Sequence, residues 1–405
     1  MPLLSCQDAL ALIADTMRGA TSAAVPETVP LADAVGRVLA VAVRADRDQP
    51  PFPRSTRDGY AVRAGDAGAR TLVGSVRAGE VWSGDALAAG QTIEVMTGAP
   101  VPDGADAVVM LEHVSLDGDA VTLQRELKPG ENVVPTGAEA GAGNVLLVPG
   151  VRIGAAEAAL LASVGVALVP VYRRPVAAVL ATGDELVPVE ETPLPHQIRN
   201  SNSHALAALV EANGGAVQML PPAADTRESL RERIAAARGA EVLLLTGGVS
   251  AGKYDLVEDV LLEFGAEFFF TGVAIQPGKP AVFGRIPADG THGEQWVFGL
   301  PGNPVSTQVT ALLFAMPMLR ALGGELLAAP LFVGATLAID VAVRPGLTRF
   351  LPARLTTTLH AVTVAPTGWQ GSGDLNSNAR ANCYLVVPPD VESLAAGATV
   401  TVLLR

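Results

Sequence analysis

Two carboxylates, Asp184 and Glu185, follow directly on the apolar run PVAAVL in the segment Ala181-Thr182-Gly183-Asp184-Glu185-Leu186. If that run is a parallel strand, they stand at its carboxyl end, where open α/β sheets bind ligands. Hard carboxylate oxygens there suit a divalent cation. A Gly-Asp pair is also an ordinary turn former, so a plain surface turn is the alternative. The run EVLLL leads into a second loop, Thr246 to Asp255 (TGGVSAGKYD). Its small residues crowd backbone N–H groups together, so that Gly247, Gly248 and the Ser250 hydroxyl could cradle a phosphate. Two more loops add to these: Gln276-Pro277-Gly278-Lys279-Pro280, and Gly299-Leu300-Pro301-Gly302-Asn303-Pro304-Val305-Ser306 after QWVF. Prolines stiffen the latter, a helix start behind it offers unpaired N–H donors, and Lys279 can bring a point charge to the same anion.

Asp225 and Asp255 each have a Glu three residues later, Glu228 and Glu258, ahead of an amphipathic stretch. That is a capping-box pattern, so a helix cap and a metal ligand compete for the same oxygens. Earlier in the chain, Pro51 to Val62 and Met96 to Asp106 are dense in turn and polar residues. As a pair they could present Asp58 and Thr97 to a site facing another domain or subunit. The five histidines are far apart and have no zinc spacing. The glycine loops match neither the dinucleotide fingerprint nor the Walker A motif, and no Ser-His-Asp elbow or Cys-His pair is present. The chemistry that remains is Mg²⁺ held between carboxylates and a substrate phosphate.

These loops need a scaffold, and the apolar pattern supplies one. Between residues 175 and 327, short buried-type runs (PVAAVL, AVQML, EVLLL, EFFFTGVAI, QWVFGL) alternate with amphipathic stretches marked by Leu206, Leu209 and Val210, by Leu230 and Ile234, and by Leu256, Val257, Val260, Leu261 and Phe264. That alternation predicts an α/β domain with a doubly wound, mostly parallel sheet. Leu10, Ile13, Ala14 and Met17 predict a first helix that starts at a capping-box-like Ser5 and Asp8. TLVGSV, QTIEVM, DAVVML, VTLQREL and NVLLV predict a β-rich lobe, and a helix is expected over 154 to 164. FVGATLAIDVAV, HAVTVAP, CYLVVP and TVTVLL predict a small β-barrel or sandwich over 328 to 405.

A chain of 405 residues asks for several domains. Its net charge of −13 argues against a general nucleic-acid binder. Mean hydropathy is positive at +0.35, yet the apolar runs are broken by Asp, Arg, Gly or Pro, and no spanning segment is expected. With two cysteines and no secretory-type start, a cytoplasmic chain without disulfides is expected.

Taken together, STRDGYAV (Ser55 to Val62), TGAPVPDGADAVV (Thr97 to Val109), TGDEL (Thr182 to Leu186), TGGVSAGKYD, QPGKP, GLPGNPVS, and later Gln370, Ser372, Gly373, Ala381 and Asn382 resemble the molybdopterin molybdenumtransferase family. That family also includes one domain of the receptor-anchoring protein gephyrin. The resemblance runs in order along essentially the whole chain. It implies a homodimer of four-lobed subunits that takes adenylylated molybdopterin and molybdate, requires Mg²⁺, releases AMP and leaves molybdenum on the dithiolene sulfurs. It divides the chain into an N-terminal helix packed on the doubly wound domain (1 to 24), a linker lobe in two parts (25 to 45 and 144 to 174), a β-rich lobe (46 to 143), the molybdopterin-binding domain (175 to 327) and the C-terminal β domain (328 to 405).

By the same resemblance Asp58, Thr97, Asp184, Glu185 and Asp225 carry catalysis, and Asp184, Glu185, Asp58 and Glu139 hold the metal. Thr182, Gly247, Gly248, Ser250, Asp255, Lys279, Pro301, Asn303, Ser306 and Arg349 bind the pterin and phosphates, and Arg354 is a second basic residue near the cleft. Contact with a molybdopterin adenylyltransferase and with molybdoenzymes is left open. Three positions depart from the family pattern. Arg57 stands where Met is common, Gln276 where Lys is frequent, and Glu139 where Asp is usual. Two alternatives remain at this stage: an adenylyltransferase making the adenylylated substrate, and an interaction scaffold.

Overall fold

The computed structural model describes residues 3–20, 24–248 and 256–405. Ser250 and Asp255, both expected at the site, lie outside the described residues, as does Lys253.

The fold is a multi-domain α/β architecture centred on a six-stranded sheet. Its order is Ala216–Met219, Val176–Ala181, Val242–Thr246, Gln295–Leu300, Val282–Ile286, Glu267–Phe270. The first four strands run parallel, with Ala177 opposite Val242 and Val242 opposite Trp296. The last two pairings are antiparallel. Successive residues of a strand face opposite sides, and both sides here are covered. Ala177, Val179, Val242, Leu244 and Phe298 join one core with Leu206 and Val210 of the helix Ser201–Ala212. Ala178, Leu180, Leu243, Leu245 and Val297 join another with Leu230 and Ile234 of Arg227–Ala237 and Val257, Val260 and Leu261 of Leu256–Glu263. From Val176–Ala181 the chain first winds outward to Ala216–Met219 and then returns to the other side at Val242–Thr246. The winding therefore reverses between Val176–Ala181 and Val242–Thr246, which places a crevice at their carboxyl ends.

The N-terminal helix Cys6–Ala20 begins as its sequence predicts: Ser5 Oγ accepts the Asp8 N–H at 3.1 Å and donates to the Asp8 carboxylate at 2.7 Å. It buries Ala9 and Ile13 in the core shared with the helical run Pro304–Leu322. Burying a side chain such as Ile13 contributes about 1.5–3 kcal/mol.

That run corrects one expectation. It is a 19-residue helix apolar enough to span a membrane by length and composition, but most of it is buried as the core helix of the domain. Pro317 interrupts its hydrogen-bond ladder, and a single π-helical turn at Ala311–Ala315, with Met316 N–H reaching Ala311 O, takes up the mismatch.

The expected strand EFFFTGVAI is in fact two. Glu267–Phe270 closes the edge of the sheet, while Ile275–Gln276 crosses over and pairs in parallel with Thr348 and Arg349 of the C-terminal domain. There Thr348–Thr357, Val362–Pro366, Phe332–Leu337, Thr399–Leu404 and Cys383–Val387 pair in sequence, and the last pairs back with the first, which closes a small barrel. Thr348–Thr357 is the longest strand of this barrel and was not expected, because Pro352 sits in its middle.

Toward the N-terminus a β-rich lobe has the order Ala107–Met110, Gly59–Val62, Gln91–Val95, Arg70–Val76, Ala120–Leu123, Val114–Asp117. Pro26–Pro30 pairs with Leu168–Tyr172, and Val43–Arg44 pairs with Val145–Leu147. Leu39, Val43, Ile153, Leu161, Val169 and Val171 therefore share one small core although they come from two distant stretches of chain. Arg152 ties this lobe to the doubly wound domain. Its guanidinium donates to Gly36 O at 2.8 Å, Asn213 O at 3.2 Å and Glu325 Oε2 at 2.6 Å, and Arg320 holds the other Glu325 oxygen at 2.7 Å.

Candidate active site

Three loops meet where the sheet reverses its winding. Thr182 N–H donates to Thr246 O at 3.0 Å, and Gly247 N–H donates to Leu300 O at 3.2 Å, so the ends of three strands are laced together. This closeness dictates glycine. Gly247 has φ of 92°, and a Cβ there would lie 2.4 Å from the Thr182 carbonyl oxygen. Around the junction opens a cleft of about 700 Å³, a volume suited to a small-molecule ligand. Of the expected residues it is lined by Thr182, Glu185, Asp225, Gly247, Gly248, Pro301 and Asn303, with Leu186, Ile198, Leu230, Leu256 and Val257 as its apolar walls.

The carboxylates at its rim are organised by the same loops. Asp225 does not cap the helix that follows it; Thr226 does, its side chain accepting the Ser229 N–H. The Asp225 carboxylate is thereby free to accept the Thr182 hydroxyl at 2.7 Å, and the Asp225 N–H donates to Asp184 Oδ1 at 3.1 Å. Glu185 folds its carboxylate back over Gly183, where a Cβ would meet Glu185 Oε2 at 2.6 Å. Asp184, Glu185 and Asp225 are all exposed.

Among the described residues no three metal-ligating side chains converge. Mg²⁺ does not require this, because it is ordinarily held by one or two carboxylates plus substrate phosphate oxygens. The oxygen-only donor set of Asp184 and Glu185 fits that description.

Asn202 is a cleft residue that the sequence reading passed over. Its Nδ2 donates to Thr246 Oγ1 at 3.0 Å and to Gly302 O at 2.7 Å. The signal was present in Asn200-Ser201-Asn202, which opens a helix directly at the strand end, but such residues read first as caps. Asn200 does cap the helix, accepting the Ser203 N–H.

Asn303 Nδ2 donates to Ser372 Oγ at 2.8 Å, and Val305 N–H donates to Ser372 O at 3.0 Å. These bonds bring the barrel loop 368–373 over the Pro301–Asn303 turn. Lys279 is exposed beside the cleft residue Pro280. Arg349 lies next to Gln276 in the strand register and donates to Arg344 O at 2.6 Å. Ser306 is placed differently from expectation: it is buried in the first turn of Pro304–Leu322, where its carbonyl accepts the Thr310 hydroxyl, and it does not line the cleft.

Asp58, Thr97 and Glu139 are on the β-rich lobe and do not line the cleft of their own chain. Thr97 N–H and its hydroxyl both donate to the exposed Asp58, which holds that carboxyl below its ordinary range. Glu139 is exposed and paired with Arg54 at 2.9 Å. Arg354 is exposed on the barrel.

Comparison with known proteins gives three family matches in chain order. They are the MoeA N-terminal region (domain I and II) over residues 4–165, the probable molybdopterin binding domain over 178–321, and the MoeA C-terminal region (domain IV) over 334–404. A molybdopterin molybdenumtransferase of Staphylococcus epidermidis is 33% identical over 385 residues, covering 93% of this chain and 90% of the relative. One from Staphylococcus aureus is 33% identical over 386 residues with the same coverage. Among solved structures, a molybdopterin biosynthesis moeA protein from Pyrococcus horikoshii OT3 superposes with a TM-score of 0.81 at 29% identity over 100% of both chains. A second structure of a protein with that description is 33% identical with a TM-score of 0.74, covering 100% of this chain and 99% of the other.

Proposed function

Because the chain belongs to the molybdopterin molybdenumtransferase family, and is therefore an enzyme of molybdenum cofactor biosynthesis, we propose that its substrates are adenylylated molybdopterin and molybdate and that AMP is the leaving product. The observation that carries this reading is the junction of Thr182-Gly183, Thr246-Gly247 and Pro301-Gly302-Asn303 at the winding reversal, with Glu185 and Asp225 lining the cleft and Asp184, which does not line it, bonded to the Asp225 N–H.

No nucleophilic side chain is required. Water adds to the molybdopterin phosphorus while the bridging P–O bond breaks and AMP departs with the bridging oxygen. The two dithiolene sulfurs bind molybdenum as one molybdate oxygen leaves as water with the two thiol protons, so the protein acts by positioning and charge. Asp184 and Glu185 would hold Mg²⁺, which when bound offsets the charge on the phosphoryl oxygens. The Thr182 hydroxyl fixes Asp225, and the Asp225 N–H in turn fixes Asp184, so the metal-side carboxylate is oriented before substrate arrives. Lys279 and Arg349 supply positive charge from the barrel side for the oxyanion and phosphate.

Asp58, Thr97 and Glu139 are assigned to the facing side of a partner subunit's cleft in a homodimer. That none of the three lines the cleft of their own chain is consistent with that assignment. An adenylyltransferase would supply the substrate, and molybdoenzymes would receive the product. The test compares ATP consumption with bare molybdopterin against AMP release from adenylylated molybdopterin with molybdate. Molybdate-dependent AMP release is expected, and ATP consumption without molybdate would assign the preceding adenylylation instead.

A further inference from the structure

The turn Pro301-Gly302-Asn303 has all three of its carbonyl oxygens tied back into the protein. Pro301 O accepts the buried Thr307 hydroxyl at 2.6 Å, Gly302 O accepts Asn202 Nδ2 at 2.7 Å, and Asn303 O accepts the Thr307 N–H at 3.0 Å. The same Asn202 nitrogen donates to Thr246 Oγ1 at 3.0 Å, and that oxygen lies 3.4 Å from Thr307 Oγ1. Two of the three strand-end loops are thus held by one set of polar side chains, which reach in from the starts of the helices Ser201–Ala212 and Pro304–Leu322.

The peptides on either side of Gly302 are trans and planar, so each C=O points opposite to the N–H it shares a plane with. Pinning Pro301 O therefore aims the Gly302 N–H, and pinning Gly302 O aims the Asn303 N–H. Neither N–H has an acceptor among the described residues, and both residues line the cleft. Two aimed and unspent backbone donors suit an anionic oxygen.

We propose that Asn202 and Thr307 are positioning residues of the reaction: by holding the Gly302 and Pro301 carbonyls, they set the Asn303 and Gly302 N–H groups as fixed donors to phosphoryl oxygens of the substrate. This rests on the cleft being the site of adenylylated molybdopterin, whose two linked phosphates supply those oxygens. Both residues act through the peptides they hold. Thr307 is buried, and both hydrogens of the Asn202 amide are spent inside the protein.

The experiment measures AMP release and calorimetric binding of inorganic pyrophosphate for the full chain, with activities referred to the folded fraction from denaturant unfolding. Thr307→Val keeps the side chain's shape and loses the hydroxyl. It should lower kcat/KM and weaken pyrophosphate by about 10- to 100-fold each. Returning a hydroxyl in Thr307→Ser should recover both to within about 3-fold of wild type. Asn202→Asp also keeps the shape, but it sets an oxygen against the Gly302 carbonyl unless the new carboxyl is protonated, while Thr246 can turn its hydroxyl toward it. Its activity relative to wild type should therefore rise as pH falls. Glu185, Asp225 and Arg199 line the same cleft, and His204 lies two residues further along the helix. All four are present in both proteins, so the ratio isolates the new carboxyl. A mere packing role makes Val as good as Ser at 307 and the Asn202→Asp ratio independent of pH, and either result would overturn the proposal. If Asn202→Asp does not fold, the Thr307 pair decides. Wild-type protein that binds pyrophosphate but releases no AMP with molybdate would instead refute the reaction assigned above, and the Thr307 pair is then read in pyrophosphate affinity alone.

Discussion

Thr97 donates both its backbone N–H, at 2.6 Å, and its hydroxyl, at 2.8 Å, to one and the same oxygen of Asp58, Oδ1. Both bonds favour the ionised carboxylate, so Asp58 stays charged to lower pH than an ordinary aspartate although it is exposed. The two bonds fix the direction of a carboxylate on the surface of the β-rich lobe.

The Thr97→Val variant keeps the N–H bond and loses the hydroxyl bond. The Asp58 carboxyl should then titrate higher, part of the way back to its ordinary range, as read by NMR titration of the side-chain carbon. Because the folded-state value is depressed, the stabilisation is present above the unfolded aspartate value and is lost as pH falls through the folded one. Thr97→Val should shift that loss to higher pH.

At Gly247 the backbone leaves no room for a side chain. Gly247→Ala combines an unfavourable positive φ with a Cβ placed 2.4 Å from the Thr182 carbonyl oxygen. A destabilisation of about 2–4 kcal/mol is expected in denaturant unfolding, together with loss of AMP release.

Glu325 joins Arg152 of the linker lobe to Arg320 of the doubly wound domain. Burial pushes its carboxyl up, but hydrogen bonds from Arg320 and Arg152, aided by their charges, outweigh this and hold it below its ordinary value. Its contribution is therefore full above the ordinary glutamate range and is lost as pH falls below it. Glu325→Gln should cost about 2 kcal/mol at neutral pH and should flatten the acid limb of the stability profile, checked by denaturant midpoints across pH.

Ser372 links the barrel loop to Asn303 through its hydroxyl and to Val305 through its carbonyl. Only the first link involves the side chain. Ser372→Ala should lower stability by about 0.5–1.5 kcal/mol while raising KM for the adenylylated substrate more than it lowers kcat. Denaturant unfolding and steady-state AMP release check the two parts.

The doubly wound domain was legible because its signals are local. Alternating apolar runs mark the strands, and glycine-rich loops at their carboxyl ends mark Thr182 to Glu185, Gly247, Gly248 and Pro301 to Asn303. What escaped depends on contacts between distant stretches. Ile275–Gln276 leaves the run that began at Glu267 because Thr348 and Arg349 offer it an edge. Thr348–Thr357 was hidden by Pro352, which a strand tolerates here. Asp225 looked like a cap because a Glu follows three residues later, yet Thr226 takes the cap and releases the carboxylate to the site. Asn202 was passed over in the sequence, because only the fold brings Thr246 and Gly302 from distant stretches to its amide nitrogen. Ser306 matched a motif, but the helix that begins there turns it inward.

The most direct measurement is the rate of AMP release from adenylylated molybdopterin at saturating molybdate and Mg²⁺, for wild type, Asp184→Ala and Glu185→Ala. Both carboxylates are exposed, so neither variant is expected to disturb folding. The predicted result is a fall of at least about 100-fold in kcat for each variant, with a weakened dependence on Mg²⁺. Unchanged rates in both variants would contradict the assignment of this cleft as the place where the phosphoryl bond is broken.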